Sequence, residues 1–199
     1  MSFYPPARSP IIALFALLLG LTVALLELDV VAYAFERIGV ESRYLISLLA
    51  VSLIGSAVNL PLARLRDGGP LLAVNLGGAL IPAGLSAWLL WQSGAWWQSL
   101  LGVALVAAVV HRIARPVPEV GIAVPILVPP LVAAGFALLI APSAAPAVAY
   151  VGGTLGTLIG ADLTNLGTLR SLGGPVASIG GAGTFDGIFV TGILAVLLA

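Results

Sequence analysis

Two aspartates, Asp162 and Asp186, stand in apolar, glycine-rich sequence near the end of the chain. Two carboxyl groups held close together in a low-dielectric site cannot both ionise, so such a pair holds one proton between them. The ionised member can act as a general base on a water molecule, while the protonated member polarises a carbonyl group. The chemistry that these two residues could perform is therefore hydrolysis of a peptide bond.

Small residues surround the second aspartate and would let an extended substrate backbone lie beside it. Asn165 follows Asp162 by three positions, and residues at this spacing share one face of a helix. We therefore expect Asn165 to be the side chain that contacts the acid pair. The predicted substrate-binding residues are Gly180, Gly181, Gly183, Thr184, Gly187 and Asn165.

The composition indicates a membrane protein. Of the 199 residues, 60% are hydrophobic and 8% are charged, and the mean hydropathy is +1.17. A soluble domain carries about 25% charged residues because water must solvate its surface, so a water-soluble globule is excluded. The 8 acids and 8 bases cancel, which leaves no net charge to attract nucleic acid. With no cysteine and one histidine, the chain predicts no metal site and no cofactor.

Apolar stretches predict an all-α, polytopic bundle of about seven transmembrane helices, with six to eight still possible. A spanning helix needs roughly 20 mainly apolar residues. No internal repeat is evident, so residues 1–199 are predicted to form a single transmembrane domain. Pro125, Pro129 and Pro130 are expected to kink the fifth span. The predicted spans are Ile11–Tyr33, Tyr44–Leu62, Pro70–Trp91, Trp96–Arg112, Val120–Ile140, Pro146–Leu163 and Gly180–Ala199.

Arginine is distributed unequally between the two sets of connections. Arg37 and Arg43 lie in the first connection, and the other arginines lie at the N-terminus or in the second, fourth and sixth connections. Because cytoplasmic loops carry the excess of positive charge, the N-terminus is predicted to be cytoplasmic and the C-terminus outside. Glu36 and Glu41 adjoin the two outer arginines and are expected to pair with them. Tryptophans flank the third connection, as in an outer aromatic belt. We therefore expect a multi-pass protein of the inner (plasma) membrane.

The arrangement of the spans predicts that the two aspartates meet. Asp162 ends the sixth span, and Asp186 lies roughly 9 Å below the inner boundary of the seventh if Gly180 marks that boundary. The two helices are expected to be antiparallel neighbours, so both carboxyl groups should lie at a similar depth, slightly inside the cytoplasmic face. Arg170 is the one base in the connection between them.

Other interpretations of these residues stay open. Acids inside a membrane also serve as proton relays, as ion sites or as structural partners of a base such as Arg170, and glycines can serve helix packing alone. The leading hypothesis is an intramembrane aspartyl protease-like hydrolase that cleaves a membrane-embedded peptide. The alternatives are a proton- or cation-coupled small-solute transporter or channel that uses the same acids, and a non-catalytic membrane assembly factor.

The segment Gly181–Asp186 reads Gly-Ala-Gly-Thr-Phe-Asp and is followed by an apolar stretch. It resembles the Gly-x-Gly-Asp motif of the intramembrane aspartyl proteases, the presenilin, signal-peptide-peptidase and prepilin-peptidase group, with two residues inserted before the acid. Those enzymes carry another aspartate on the preceding helix, and Asp162 matches it. This resemblance implies a peptidase with Asp162 and Asp186 as its catalytic residues.

A second resemblance covers most of the chain. The segments Val74–Pro82, Arg115–Ile122 and Ala177–Phe189 are similar to a prokaryotic membrane family described as a domain of unknown function. That resemblance implies a multi-pass inner-membrane protein and brings no established activity with it.

Overall fold

The structure is a computed structural model that describes residues 28–64, 70–117, 121–169, 176–181 and 187–199. Its α-helices are α1 (Leu28–Arg37), α2 (Ser42–Ser56), α3 (Ile81–Ser93), α4 (Trp96–Ile113), α5 (Val128–Ile140), α6 (Ala145–Thr157), α7 (Leu166–Leu169) and α8 (Gly187–Leu198). Its strands are β1 (Asn59–Arg64), β2 (Leu71–Asn75), β3 (Arg115–Val117), β4 (Gly121–Ala123) and β5 (Val176–Ile179). Two π-helical turns, Leu76–Leu80 and Leu158–Asp162, and two 3-10 turns, Pro142–Ala144 and Leu163–Asn165, join some of these elements.

Two helical segments of the described residues are long and apolar enough to cross a membrane. They are Trp96–Ile113, which is α4, and Pro142–Thr168, in which α6 continues through its flanking turns. Helices α1 and α2 add a third candidate if the pair, which is bent by 110°, is counted as one span, whereas α5 and α8 are apolar but shorter. The predicted spans Trp96–Arg112 and Pro146–Leu163 lie within the two long segments. These apolar helices support a membrane protein.

The chain is mostly helical, as predicted, but the described residues also form strands, so the fold is not all-α. Strand β1 pairs antiparallel with β2, β2 pairs parallel with β5, and β3 and β4 form a hairpin. Every one of these strands adjoins the second, fourth or sixth predicted connection. The three-stranded sheet therefore joins the second connection to the sixth at one end of the molecule.

Strand formation shortens three of the predicted spans. The span Tyr44–Leu62 ends as a helix at Ser56, and the spans Pro70–Trp91 and Val120–Ile140 contain β2 and β4 near their starts. Neighbouring strands pair the backbone groups of these residues, and Pro61 in β1 has no N–H with which to continue a helix. Short apolar runs do not distinguish a strand from a helix by their pattern alone, so the sequence could not locate these boundaries.

The prolines of the fifth predicted span mark the start of α5. Pro129 and Pro130 lie in its first turn, and Pro125 precedes it. First-turn amide groups have no partner within the helix, so proline costs no hydrogen bond there. The predicted kink within the helix is therefore wrong.

Helix α6 lies at the centre of the packing and contacts α3, α4, α5 and α8. Gly152 and Gly156 on α6, and Gly160 in the π-helical turn that follows, lie at intervals of four residues on the side toward α4. A Cβ atom at Gly156 would lie 2.6 Å from Cβ of Val106, and one at Gly160 would lie 2.5 Å from the carbonyl oxygen of Ala107. Small residues at such intervals allow the backbones of membrane helices to approach closely. Glycine therefore sets the distance between α4 and α6.

We expect Gly156→Ala to lower the free energy of unfolding by about 1–3 kcal/mol, because the added methyl group overpacks the contact with α4. Thermal unfolding in detergent measures the change. Gly135→Ala is the matched control, since a Cβ atom at Gly135 meets no atom within 4 Å. A helical Gly→Ala change in open space should be neutral or stabilise by up to about 1 kcal/mol. Equal losses for the two variants would contradict the close contact.

Candidate functional site

Asp162 is the last residue of the π-helical turn Leu158–Asp162, which continues α6. Single π-helical turns inside α-helices often occur at functional sites. The wider turn takes carbonyl groups out of the α-helical pattern, and Nδ2 of Asn165 donates to the carbonyl oxygens of Gly160 (3.0 Å) and Ala161 (2.9 Å). Asn165 therefore holds the backbone immediately before Asp162. Its predicted contact with substrate stays a prediction.

Thr164 connects the same turn to the end of α4. Its hydroxyl group donates to the carbonyl oxygen of Gly160 at 2.8 Å and lies 2.9 Å from Nδ1 of His111. The hydroxyl group therefore bonds both to the backbone of the π-helical turn and to the imidazole of His111. The side chain of His111 is exposed, so it links two helix ends while remaining accessible from outside the protein.

The carboxyl group of Asp162 is held by the backbone that follows β5. Its Oδ2 accepts a hydrogen bond from the N–H of Gly180 at 2.7 Å. Gly180 is buried and has a φ of +82°, and a Cβ atom there would lie 2.5 Å from Cβ of Ala79 and 2.7 Å from its backbone nitrogen. Glycine adopts this left-handed conformation without a Cβ penalty. The site therefore joins the end of α6, the end of β5 and the π-helical turn Leu76–Leu80.

Asn75, a buried residue that was not among the predicted site residues, supports the turn against which Gly180 packs. Its Oδ1 accepts from the N–H of Gly78 at 2.8 Å, and its Nδ2 donates to the carbonyl oxygen of Ser56 at 2.6 Å. Buried polar groups need such partners, so the amide fixes the relation of α2 to this turn. The sequence signal was an asparagine and two glycines within four residues, Asn75-Leu76-Gly77-Gly78, since asparagine and glycine are typical of turns.

The structure brings two of the predicted site residues into direct contact, Asp162 and Gly180. Gly181 has a φ of +80°, and Gly187 is the exposed first residue of α8, with open space where a Cβ atom would lie. Three further predicted residues lie outside the part of the chain that the structure describes: Gly183, Thr184 and Asp186. The predicted meeting of the two carboxyl groups therefore stays a prediction.

A carboxyl group in a fixed orientation is suited to acid–base work on a neighbouring group. The backbone N–H of Gly180 supplies that orientation for Asp162. Within the described ranges, no group of three or more His, Asp or Glu side chains is arranged to hold a metal ion. The carboxyl group of Asp162 therefore has an orientation that suits proton transfer.

We expect Asn165→Ala to lower the free energy of unfolding by about 1–3 kcal/mol, because it removes the side-chain donor of the Ala161 carbonyl group and one of the two side-chain donors of the Gly160 carbonyl group. Urea or thermal unfolding of the purified protein measures the loss. His111→Ala is the control, since it removes an exposed hydrogen bond to the neighbouring residue Thr164 and should cost less than about 1 kcal/mol. A larger loss for His111→Ala would show that Asn165 does not support the turn.

The fold and the site define a mostly helical protein with membrane-length apolar segments and an aspartate held where a helix meets a strand. Residues 38–198 match the model of the family described as "Protein of unknown function (DUF1614)", and the chain belongs to that family. This match confirms the predicted resemblance to a domain family of unknown function. No curated protein and no solved structure matches the chain. The resemblance to aspartyl proteases has no support from these comparisons.

Proposed function

We propose that the protein is an intramembrane aspartyl protease-like hydrolase of the inner membrane. In this proposal Asp162 and Asp186 share one proton near the cytoplasmic face. The ionised carboxylate removes a proton from water, the water oxygen attacks the peptide carbonyl, and the protonated carboxyl group polarises that carbonyl. The C–N bond of the resulting tetrahedral intermediate then breaks, and the leaving nitrogen takes up the proton that the first carboxylate removed from water. The substrate is a membrane-embedded peptide or protein segment, and the chemistry uses no cofactor.

The observation that carries this proposal is the hydrogen bond from the N–H of Gly180 to Oδ2 of Asp162. Gly180 opens the short segment that contains Asp186 and leads into α8. Helix α8 in turn packs against α6, the helix that leads to Asp162. Asp162 is thus bonded to Gly180, and Gly180 precedes Asp186 by six positions in the sequence. A segment of six residues is short enough to bring the two acids together.

Contacts at both ends of the molecule support the seven-span topology that the proposal assumes. At one end, the sheet of β1, β2 and β5 joins the second and sixth connections, and His111 joins the fourth to the sixth through Thr164. At the other end, Nη1 of Arg37 donates to the carbonyl oxygen of Val196 in α8. In a bundle of successive spans, the connections must lie alternately at the two ends. In this proposal the sheet end faces the cytoplasm, because the connections at that end carry the excess of arginine.

A proton- or cation-coupled transporter is the second candidate, and buried hydroxyl groups between packed helices favour it. Ser99 on α4 and Thr157 on α6 are buried, and their hydroxyl oxygens have no hydrogen-bond partner among the described residues. Thr157 lies five positions before Asp162 on the same continuous helical segment. Polar groups in membrane helices that face a protein interior often mark proton or ion pathways.

The test uses the full chain reconstituted in liposomes with a panel of membrane-spanning peptides. Hydrolysis in water enriched in oxygen-18 must place one water oxygen in the new carboxyl group, which mass spectrometry of the fragments detects. The same liposomes carry a pH-sensitive dye that reports proton flux. Labelled fragments support the hydrolase. Absence of fragments together with a proton flux that Asp162→Asn abolishes would overturn it and favour the transporter, whereas neither activity would favour the assembly factor.

A further inference from the structure

Arg37, at the end of α1, forms no ion pair with an acid of the described residues. Its half-buried side chain donates from Nη1 to the carbonyl oxygen of Val196 at 2.7 Å. Glu36, its expected partner, accepts a hydrogen bond from a hydroxyl group on α2 instead. Within the described residues, the ion pair found is the exposed one between Arg43 and Glu41, which was predicted. A guanidinium group has five N–H donors, so Arg37 has further donors to offer.

A cleft of about 340 Å³ opens beside Arg37. Its other polar lining residues are Gln92 and Ser93 at the end of α3 and Ser143 in the turn before α6, and none of the lining residues that the structure describes has a carboxylate. The neighbouring cleft of about 500 Å³ differs because two glutamates line it. The cleft at Arg37 therefore combines a positive charge with amide and hydroxyl donors, which suits an anion rather than a cation.

The tryptophans of the third connection indicate the depth at which this cleft would lie in a membrane. Gln92 and Ser93 lie directly after Trp91, whose side chain is 78% exposed, and shortly before the exposed Trp96 and Trp97. Tryptophan is enriched where lipid head groups meet the hydrocarbon core. An anion that reaches the cleft at this level has the position of a lipid phosphate group.

We propose that the cleft formed by Arg37, Gln92, Ser93 and Ser143 binds a phosphate group, and that its source is the head group of an anionic phospholipid. Arginine recognises phosphate through parallel N–H donors, and the hydroxyl and amide groups provide additional donors. The half-buried apolar residues of the cleft, such as Pro146 and Ala147, lie where the first atoms of the acyl chains would follow. This site is independent of the proposed hydrolysis, since it uses neither Asp162 nor Asp186.

The experiment measures binding to the purified full chain in a neutral detergent by native mass spectrometry. The three probes are phosphatidylglycerol, a diacylglycerol with the same acyl chains but no phosphate, and inorganic phosphate as a competitor. Ser143→Asp places a negative charge in the cleft without touching the bond between Arg37 and Val196, and Ser143→Asn is its neutral control. Arg37→Gln removes the guanidinium group, and Arg43→Gln removes the paired arginine outside this cleft.

We expect phosphatidylglycerol to bind and diacylglycerol to bind at least about tenfold more weakly, since a charged hydrogen-bonded pair contributes about one such factor. Ser143→Asp and Arg37→Gln should each weaken phosphatidylglycerol binding about tenfold, whereas Ser143→Asn and Arg43→Gln should leave it unchanged. Displacement of the lipid by inorganic phosphate would support the phosphate site and assign it a soluble source instead. Equal binding of both lipids, or a Ser143→Asp variant that binds like wild type, would overturn the proposal even if Arg37→Gln failed to fold.

Discussion

Asp162→Asn and Asp186→Asn are each expected to lower peptide hydrolysis at least about a thousandfold, because each removes one member of a proton-sharing pair and acid–base groups contribute factors of this order. The double variant should be little slower than either single variant, since residues that act as a unit are not additive. The measurement is the rate of labelled fragment release in liposomes. The amide side chain keeps an oxygen that can accept the N–H of Gly180, so the fold around Asp162 should persist.

Asp29→Asn is the control for this prediction. Asp29 is an exposed acid in α1, and its replacement makes the same chemical change at another position. Hydrolysis by this variant should equal that of wild type. Full hydrolysis by Asp162→Asn would contradict the shared-proton pair, whatever the behaviour of the other variants.

Gly180→Ala is expected to lower the free energy of unfolding by about 2–5 kcal/mol, because left-handed strain and overpacking add together at this position. The new Cβ atom would lie 2.5 Å from Cβ of Ala79 and 2.7 Å from its backbone nitrogen. Movement of the strand end away from Ala79 would also withdraw the N–H that holds Asp162. Thermal unfolding in detergent measures the stability loss, and the hydrolysis assay measures the loss of orientation.

The matched control is Gly187→Ala, because Gly187 was also predicted to bind substrate and a Cβ atom there meets nothing within 4 Å. This variant should unfold like wild type. A stability loss of the same size in both variants would show that glycine at position 180 is not required by its contact with Ala79. A stable Gly180→Ala protein would contradict the packing directly.

Helix α4 shows how far the apolar pattern alone could go. Its predicted limits, Trp96 and Arg112, differ from the structural ones by a single residue at one end, because the helix is continuous, apolar and flanked by polar residues. The pattern was less informative in residues 59–64 and 71–75. The backbone groups of β1 pair with those of β2 across an intervening turn, and β2 also pairs with β5, which lies about a hundred positions further along the chain. Rules based on neighbouring residues do not identify these partner strands.

Some features of the candidate site could likewise be predicted from the sequence, and others could not. The sequence singled out Asp162 because an acid in apolar surroundings requires a reason, and it associated Asp162 with the glycine-rich segment that Gly180 opens. It could not show that the partner of Asp162 would be a backbone N–H, nor that Asn165 would bond to carbonyl groups released by a π-helical turn. Both contacts depend on the local departure from α-helical geometry at Leu158–Asp162.

Composition and periodicity by themselves determined that this chain is a mostly helical protein of apolar helices. The reason is that solvation of a protein surface depends mainly on the types of residues present and little on how they are arranged in the fold. They also determined which acids require an explanation. The tertiary structure decided the strand pairing, the close approach of α4 and α6 at glycine, and the capture of the Asp162 carboxyl group by Gly180. Those features depend on atoms brought together from distant parts of the chain, and the free energy of such contacts is set by distances that no local pattern specifies.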